Sequence, residues 1–151
     1  MAENITIQIQ FEMGQIDRLF EFYADLLAES KQRVPDRVEM TALGSVLHSF
    51  YNGLESIFLV VAKELDRGAP RGAEWHRSLL MRMTQATSNR SRVISPETAA
   101  ALSGYLTFRH FFRHAYAFFL DWSKMRDMVI ALADIWAQTK QDLLAFLETL
   151  N

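Results

Sequence analysis

Between Leu43 and Val61 the apolar residues of this chain recur at steps of three and four, through Val46 and Leu47, Phe50, Leu54, Ile57 and Phe58. That is the period of one face of an α-helix. The same step runs through Ile5, Ile9, Met13, Ile16, Phe20, Tyr23 and Leu27, and again through Met125, Val129, Leu132, Trp136, Leu143 and Leu147. The alternation in "ITIQIQF" also fits a strand, but a lone strand finds no partner elsewhere in the sequence. Long stripes of this kind are stable only when buried against one another, so the spacing predicts an all-α helical bundle.

The breaks divide the bundle into four long helices and one short one. The first is expected over about Asn4 to Lys31. In "VPDRVE", Asp36 followed three residues later by Glu39 has the form of a capping box, opening a helix from Arg37 to about Asp66. Gly68, Pro70 and Gly72 in "DRGAPRG" oppose helix continuation and mark the clearest loop. A shorter helix is expected from about Ala73 to Thr87, ended by the polar "TSNRSR". Ser95-Pro96-Glu97 then combines a serine cap, a proline at the first helical position and an acid in the first turn. That fourth helix is expected to run to about Phe119, and a last one from about Asp121 to Leu150. With 151 residues, no internal repeat and no low-complexity segment, the chain reads as one domain over 1–151.

Several classes of function are excluded or disfavoured by composition. The absence of cysteine removes disulfides, thiolate catalysis and cysteine-rich zinc sites. "MAENITIQIQ" lacks a basic region followed by an apolar one, so it does not read as a signal peptide. No apolar run approaches the length of a membrane span, and a cytoplasmic protein is expected. The net charge of −2 conceals a segregation: Arg67 to Arg126 holds ten Lys or Arg against three acids, Glu74, Glu97 and Asp121. A concentrated positive block suits a phosphate-bearing partner; a solvated helix face explains it as well.

The chemistry concentrates in Tyr105 to Asp121, "YLTFRHFFRHAYAFFLD". At about 100° per residue, with Arg109 at zero, Tyr116 falls near about −20°, Arg113 near about 40°, His110 near about 100° and His114 near about 140°. Phe108, Phe111, Phe112, Phe118 and Phe119 occupy the remaining arc and are expected in the core. The polar face has no acid four residues from either arginine, whereas a merely solvated face mixes its signs. Arginine forks bind phosphate, histidine moves protons near neutral pH, and a phenol donates hydrogen bonds or accepts modification. His110 and His114 are spaced for a metal, but no HExxH or third ligand accompanies them and the flanking arginines repel a cation, so no metal or other cofactor is expected. No P-loop, GxGxxG or GxSxG pattern is present. His48 and His76 fall on other helices, and His76 beside Trp75 is expected to pack or cap locally.

Arg109, His114 and Tyr116 together spell R-x4-H-x-Y, with the polar His110 directly after the arginine. This resembles the signature of the HEPN ribonucleases, and in particular the HepT toxins of HEPN/MNT toxin–antitoxin pairs. The likeness extends over "FYNGLESIF", "GAEWHRSLL" and "YLTFRHFFRHAYAFFLDW". It implies a HEPN-type helical bundle forming a homodimer and cleaving RNA without a metal. Arg109 would hold the scissile phosphate, and His114 would serve as general acid or base as the ribose 2′-OH attacks. His110 and Arg113 would support phosphate binding. The same resemblance implies a partner, an MNT-type nucleotidyltransferase antitoxin that transfers AMP to Tyr116. Because Arg109 and His114 point about 140° apart on one straight helix, a complete site would need two copies. The alternative is a non-catalytic helical partner or substrate-binding subunit of a nucleotidyltransferase.

Overall fold

A computed structural model describes residues 2–116 and 119–150. Among them the chain forms α1 (Ala2–Phe22), α2 (Ala24–Ser30), α3 (Arg37–Leu65), α4 (Trp75–Arg82), α5 (Pro96–His114) and α6 (Trp122–Glu148), with no strand. The all-α bundle expected from the periodicity is what the chain adopts.

α3 is the axis of the bundle. α1, α4, α5 and α6 all pack on it, and Leu43, Leu47, Phe50, Leu54, Ile57, Phe58 and Val61 are fully enclosed. Phe50 is the hub. Its ring meets Phe20 of α1 at 6.0 Å, Tyr105 of α5 at 5.5 Å and Trp136 of α6 at 6.1 Å, each edge to face, the preferred geometry for aromatic quadrupoles. By length and composition alone α3 could cross a membrane; here its apolar face is occupied by the other helices.

Two glycines of α3 set the closeness of this packing. A Cβ at Gly53 would lie 2.9 Å from Ile16 of α1, and one at Gly44 would lie 2.6 Å from the Phe112 ring of α5. Both helices therefore approach α3 at distances only glycine permits.

The capping box holds: the Asp36 carboxylate accepts from the Glu39 backbone N–H, and the Glu39 side chain accepts from that of Asp36. Ser95 likewise caps α5 through the Thr98 N–H. Three boundaries differ from expectation. The first helix is not continuous, because Tyr23 leaves helical geometry with φ −106° and ψ 17°. α1 packs mainly on α3, whereas α2 touches both α6 and α3. The third helix is shorter than Ala73–Thr87, beginning at Trp75 and ending at Arg82. Beyond it Arg90, 6% exposed, forks onto Asp66 at 2.7 and 2.8 Å and donates to the Gln85 and Ser91 carbonyls. That buried arginine ties the loop after α4 to the end of α3, and so fixes where α4 sits. The fourth helix ends at His114, five residues before Phe119.

Candidate active site

The early end of α5 changes the site. Ala115 is extended, with φ −110° and ψ 153°, and Asp121 already caps α6 through the Ser123 N–H. The chain must reverse within these few residues, and that demand overrides the helical periodicity. Tyr116 therefore lies beyond the helix, 72% exposed, and helical geometry no longer aligns it with Arg109. The aromatic arc is also less uniform than expected. Phe108 is buried and Phe112 half-buried, stacked on Phe108 and against His48, but Phe111 and Phe119 are exposed. Phe118 lies outside the described residues.

Arg109 is neither on an open face nor unpaired. It is 3% exposed, and α3 supplies its partners. One terminal nitrogen (Nη1) donates to Asn52 Oδ1 at 2.9 Å and Glu55 Oε1 at 2.8 Å; the other (Nη2) donates to Glu55 Oε2 at 3.1 Å. The guanidinium also lies 5.2 Å over the Tyr51 ring. No acid lies four residues away on the same helix; the partner, Glu55, is 54 positions upstream. A signal was present: Glu55 follows Tyr51 by four on the apolar stripe of "FYNGLESIF". An acid on a buried face demands a counter-charge.

His76 of α4 completes the cluster. Its ring stacks on Trp75 at 3.7 Å, the local packing expected, but its Nδ1 is also 2.7 Å from Glu55 Oε2 and 2.9 Å from Arg109 Nη2. The arginine can only donate, so the two contacts cannot both be hydrogen bonds of one tautomer. A carboxylate oxygen at 2.7 Å requires a hydrogen between, which assigns the proton to Nδ1 and leaves Nε2 as the basic nitrogen. The second Nη2 hydrogen of Arg109 lies against His76 Nδ1 at 2.9 Å, and the Nε–H is buried without a hydrogen-bond partner among the described residues. The Tyr51 hydroxyl is orphaned in the same way, and burial raises its pKa, reinforced by Glu55. Unsatisfied buried groups gathered at one point are exceptional in folded proteins and call for a reason.

Over this cluster opens a cleft of about 230 Å³ between α4 and α5, whose charged and titratable lining residues are Glu74, His76, Arg77, Arg109, His110 and Arg113. Arg77 is steadied by Ser103 Oγ at 3.0 Å and Thr107 Oγ1 at 3.3 Å. Of the residues singled out in the sequence, Arg109, His110 and Arg113 share the cleft. His114 is outside its lining but packs its ring 4.7 Å from that of His110. His48 sits on the α3 side, near Asn52 at 3.3 Å, its pKa lowered by burial and by the charges of Arg109 and Arg113. Among the described residues no three His, Asp or Glu side chains converge as a metal site.

What the arrangement offers chemically is a pocket of net positive charge with a buried arginine, a stacked imidazole and the exposed His110, on which His114 packs from outside. No curated protein and no solved structure matches the chain. A family model for HepT-like proteins matches residues 42–150, which span α3 to α6 and every residue of the cleft, and the chain belongs to this HepT-like family of HEPN-type bundles, whose members are generally parts of toxin–antitoxin systems.

Proposed function

We propose that this chain, as one domain over 1–151, is the toxin of a HEPN/MNT pair: a metal-independent, cytoplasmic endoribonuclease acting as a homodimer. The observation that carries the reading is the cleft itself, where Arg77, Arg109 and Arg113 surround two histidines in a space suited to a phosphodiester. In the reaction the ribose 2′-oxygen attacks the adjacent phosphorus, the bond to the 5′-oxygen breaks, and a 2′,3′-cyclic phosphate is left. Charge accumulates on the non-bridging oxygens as the phosphorane forms. In this reading Arg109, which lines the cleft, stabilises that charge, and such a donor is worth about 10²–10³ in rate. His110 and Arg113 bind the flanking phosphate, and His114 transfers a proton as general acid or base, a role worth about 10²–10⁴. AMP transfer to Tyr116 by the nucleotidyltransferase antitoxin neutralises the activity.

The test is cleavage of RNA in EDTA by the free protein. Arg109→Ala and His114→Ala should abolish it, and cleavage indifferent to both substitutions defeats the assignment. A second reading has its own support. Arg109 is 3% exposed and held by Glu55, while Tyr116 is 72% exposed. That combination also fits a non-catalytic helical partner that presents Tyr116 to a nucleotidyltransferase. This reading predicts a stable complex and no growth arrest when the chain is produced alone.

A further inference from the structure

The R-x4-H-x-Y signature leaves His76 out, yet it is the histidine whose ring is fixed from three sides. Trp75 stacks on one face, Glu55 anchors Nδ1, and Arg109 closes the inner edge. The ring lines the cleft, and no hydrogen bond occupies Nε2 among the described residues. A carboxylate that holds Nδ1–H and leaves Nε2 bare toward a pocket is the arrangement by which an imidazole is prepared to accept a proton. The charged and titratable groups around it are Tyr51 and Glu55 from α3, Glu74 and Arg77 from α4, and Arg109, His110 and Arg113 from α5.

We propose that His76 is a catalytic residue of the cleft, the general base that takes the 2′-OH proton, with Glu55 as its positioning residue. The inference rests on the ribonuclease reading above. As the 2′-oxygen forms its bond to phosphorus, its proton passes to His76 Nε2, producing an imidazolium paired through Nδ1–H with Glu55. The bond from phosphorus to the 5′-oxygen breaks, and that oxygen takes a proton from the His110–His114 pair at the rim. The cycle closes through water, to which His76 gives up its proton and from which the His110–His114 pair takes one back.

The test is single-turnover cleavage, in EDTA, of an end-labelled pool of random-sequence RNA 20-mers. His76→Asn places an amide N–H where Nδ1–H was, so the Glu55 bond survives while the base is gone. The expected result is a fall of about 100-fold or more in the cleavage step, with affinity for an uncleavable 2′-deoxy pool little changed. Added imidazole should partly restore His76→Ala, with the rescued rate following the free-base fraction of imidazole. Wild-type rates in His76→Asn, or rescue that follows the imidazolium fraction, overturn the proposal while leaving the ribonuclease reading intact. Absence of cleavage by the wild-type chain ends both. A measurement on the unmodified protein keeps the idea exposed if the variants do not fold. Two-bond ¹H–¹⁵N spectra should show His76 as the Nδ1–H tautomer, and an Nε2–H tautomer overturns it.

Discussion

Glu55 and Arg109 face each other across 54 residues of chain, and both oxygens of the carboxylate take a guanidinium N–H, at 2.8 and 3.1 Å. The arginine is 3% exposed and the glutamate 7%, so the pair is removed from water on both sides. Bringing two ions into such a place costs nearly as much as their attraction returns, and the loss falls on whoever remains when one is deleted. Glu55→Ala should therefore destabilise the fold by about 3–5 kcal/mol, read by urea denaturation. Glu55→Leu combined with Arg109→Met should recover most of that loss. A double variant as unstable as Glu55→Ala alone means the pair itself is not what the single substitution disrupts.

The sequence made the bundle legible because burial is periodic: Phe50, Leu54, Met125 and Trp136 each stood where a stripe required them, and each is enclosed. Local caps were equally readable, since Asp36 and Glu39 act across one turn. The site was legible only in part. Arg109 was visible, but its partner comes from another helix, and spacing along α5 carries no information about α3. His76 showed its neighbour Trp75 and concealed Glu55 for the same reason. The end of α5 was misplaced because Phe118 and Phe119 continue the helical pattern in letters, while the reversal into α6 is imposed by packing.

Gly44 lies about three turns before Glu55 on the same side of α3 and gives a second prediction. Alanine there gains about 1 kcal/mol of helix propensity but drives its Cβ to 2.6 Å from the Phe112 ring. The ring cannot retreat easily, since it stacks on Phe108 and rests against His48. Gly44→Ala should cost about 1–3 kcal/mol net, and Phe112→Leu in the same chain should make the combined loss smaller than the sum. Additive losses in denaturant titrations would falsify the clash as the cause.

His48 predicts a dependence on pH. Burial, with Arg109 and Arg113 nearby, lowers its pKa below the ordinary histidine value of 6.5. Between the folded value and 6.5 the unfolded chain binds more proton than the folded one, so stability rises with pH through that window. It is fully present above 6.5 and is lost as the pH falls toward the folded value. In melting curves taken from neutral to mildly acid pH, His48→Gln should flatten this part of the profile. An unchanged difference between wild type and variant at every pH excludes His48 as the source.

Tyr116 follows His114 by two residues, on the extended segment beyond the helix and 72% exposed. An adenylyl group there brings a phosphodiester charge beside Arg113 and His114, the basic residues of the last turn of α5. Negative charge at a helix C-terminus is otherwise unfavourable, so the Arg113 guanidinium, with the His114 ring beside it, is what would hold it. If the proposed function holds, protein produced together with an MNT-type nucleotidyltransferase antitoxin should carry the adenylyl mass on the peptide containing Tyr116. Tyr116→Phe should remain toxic in the presence of that partner. Weakened RNA binding by the modified form should be largest at low salt, because the effect is one of competing charges. Unmodified Tyr116 in an inactive complex places neutralisation elsewhere, in steric cover of the cleft by the partner.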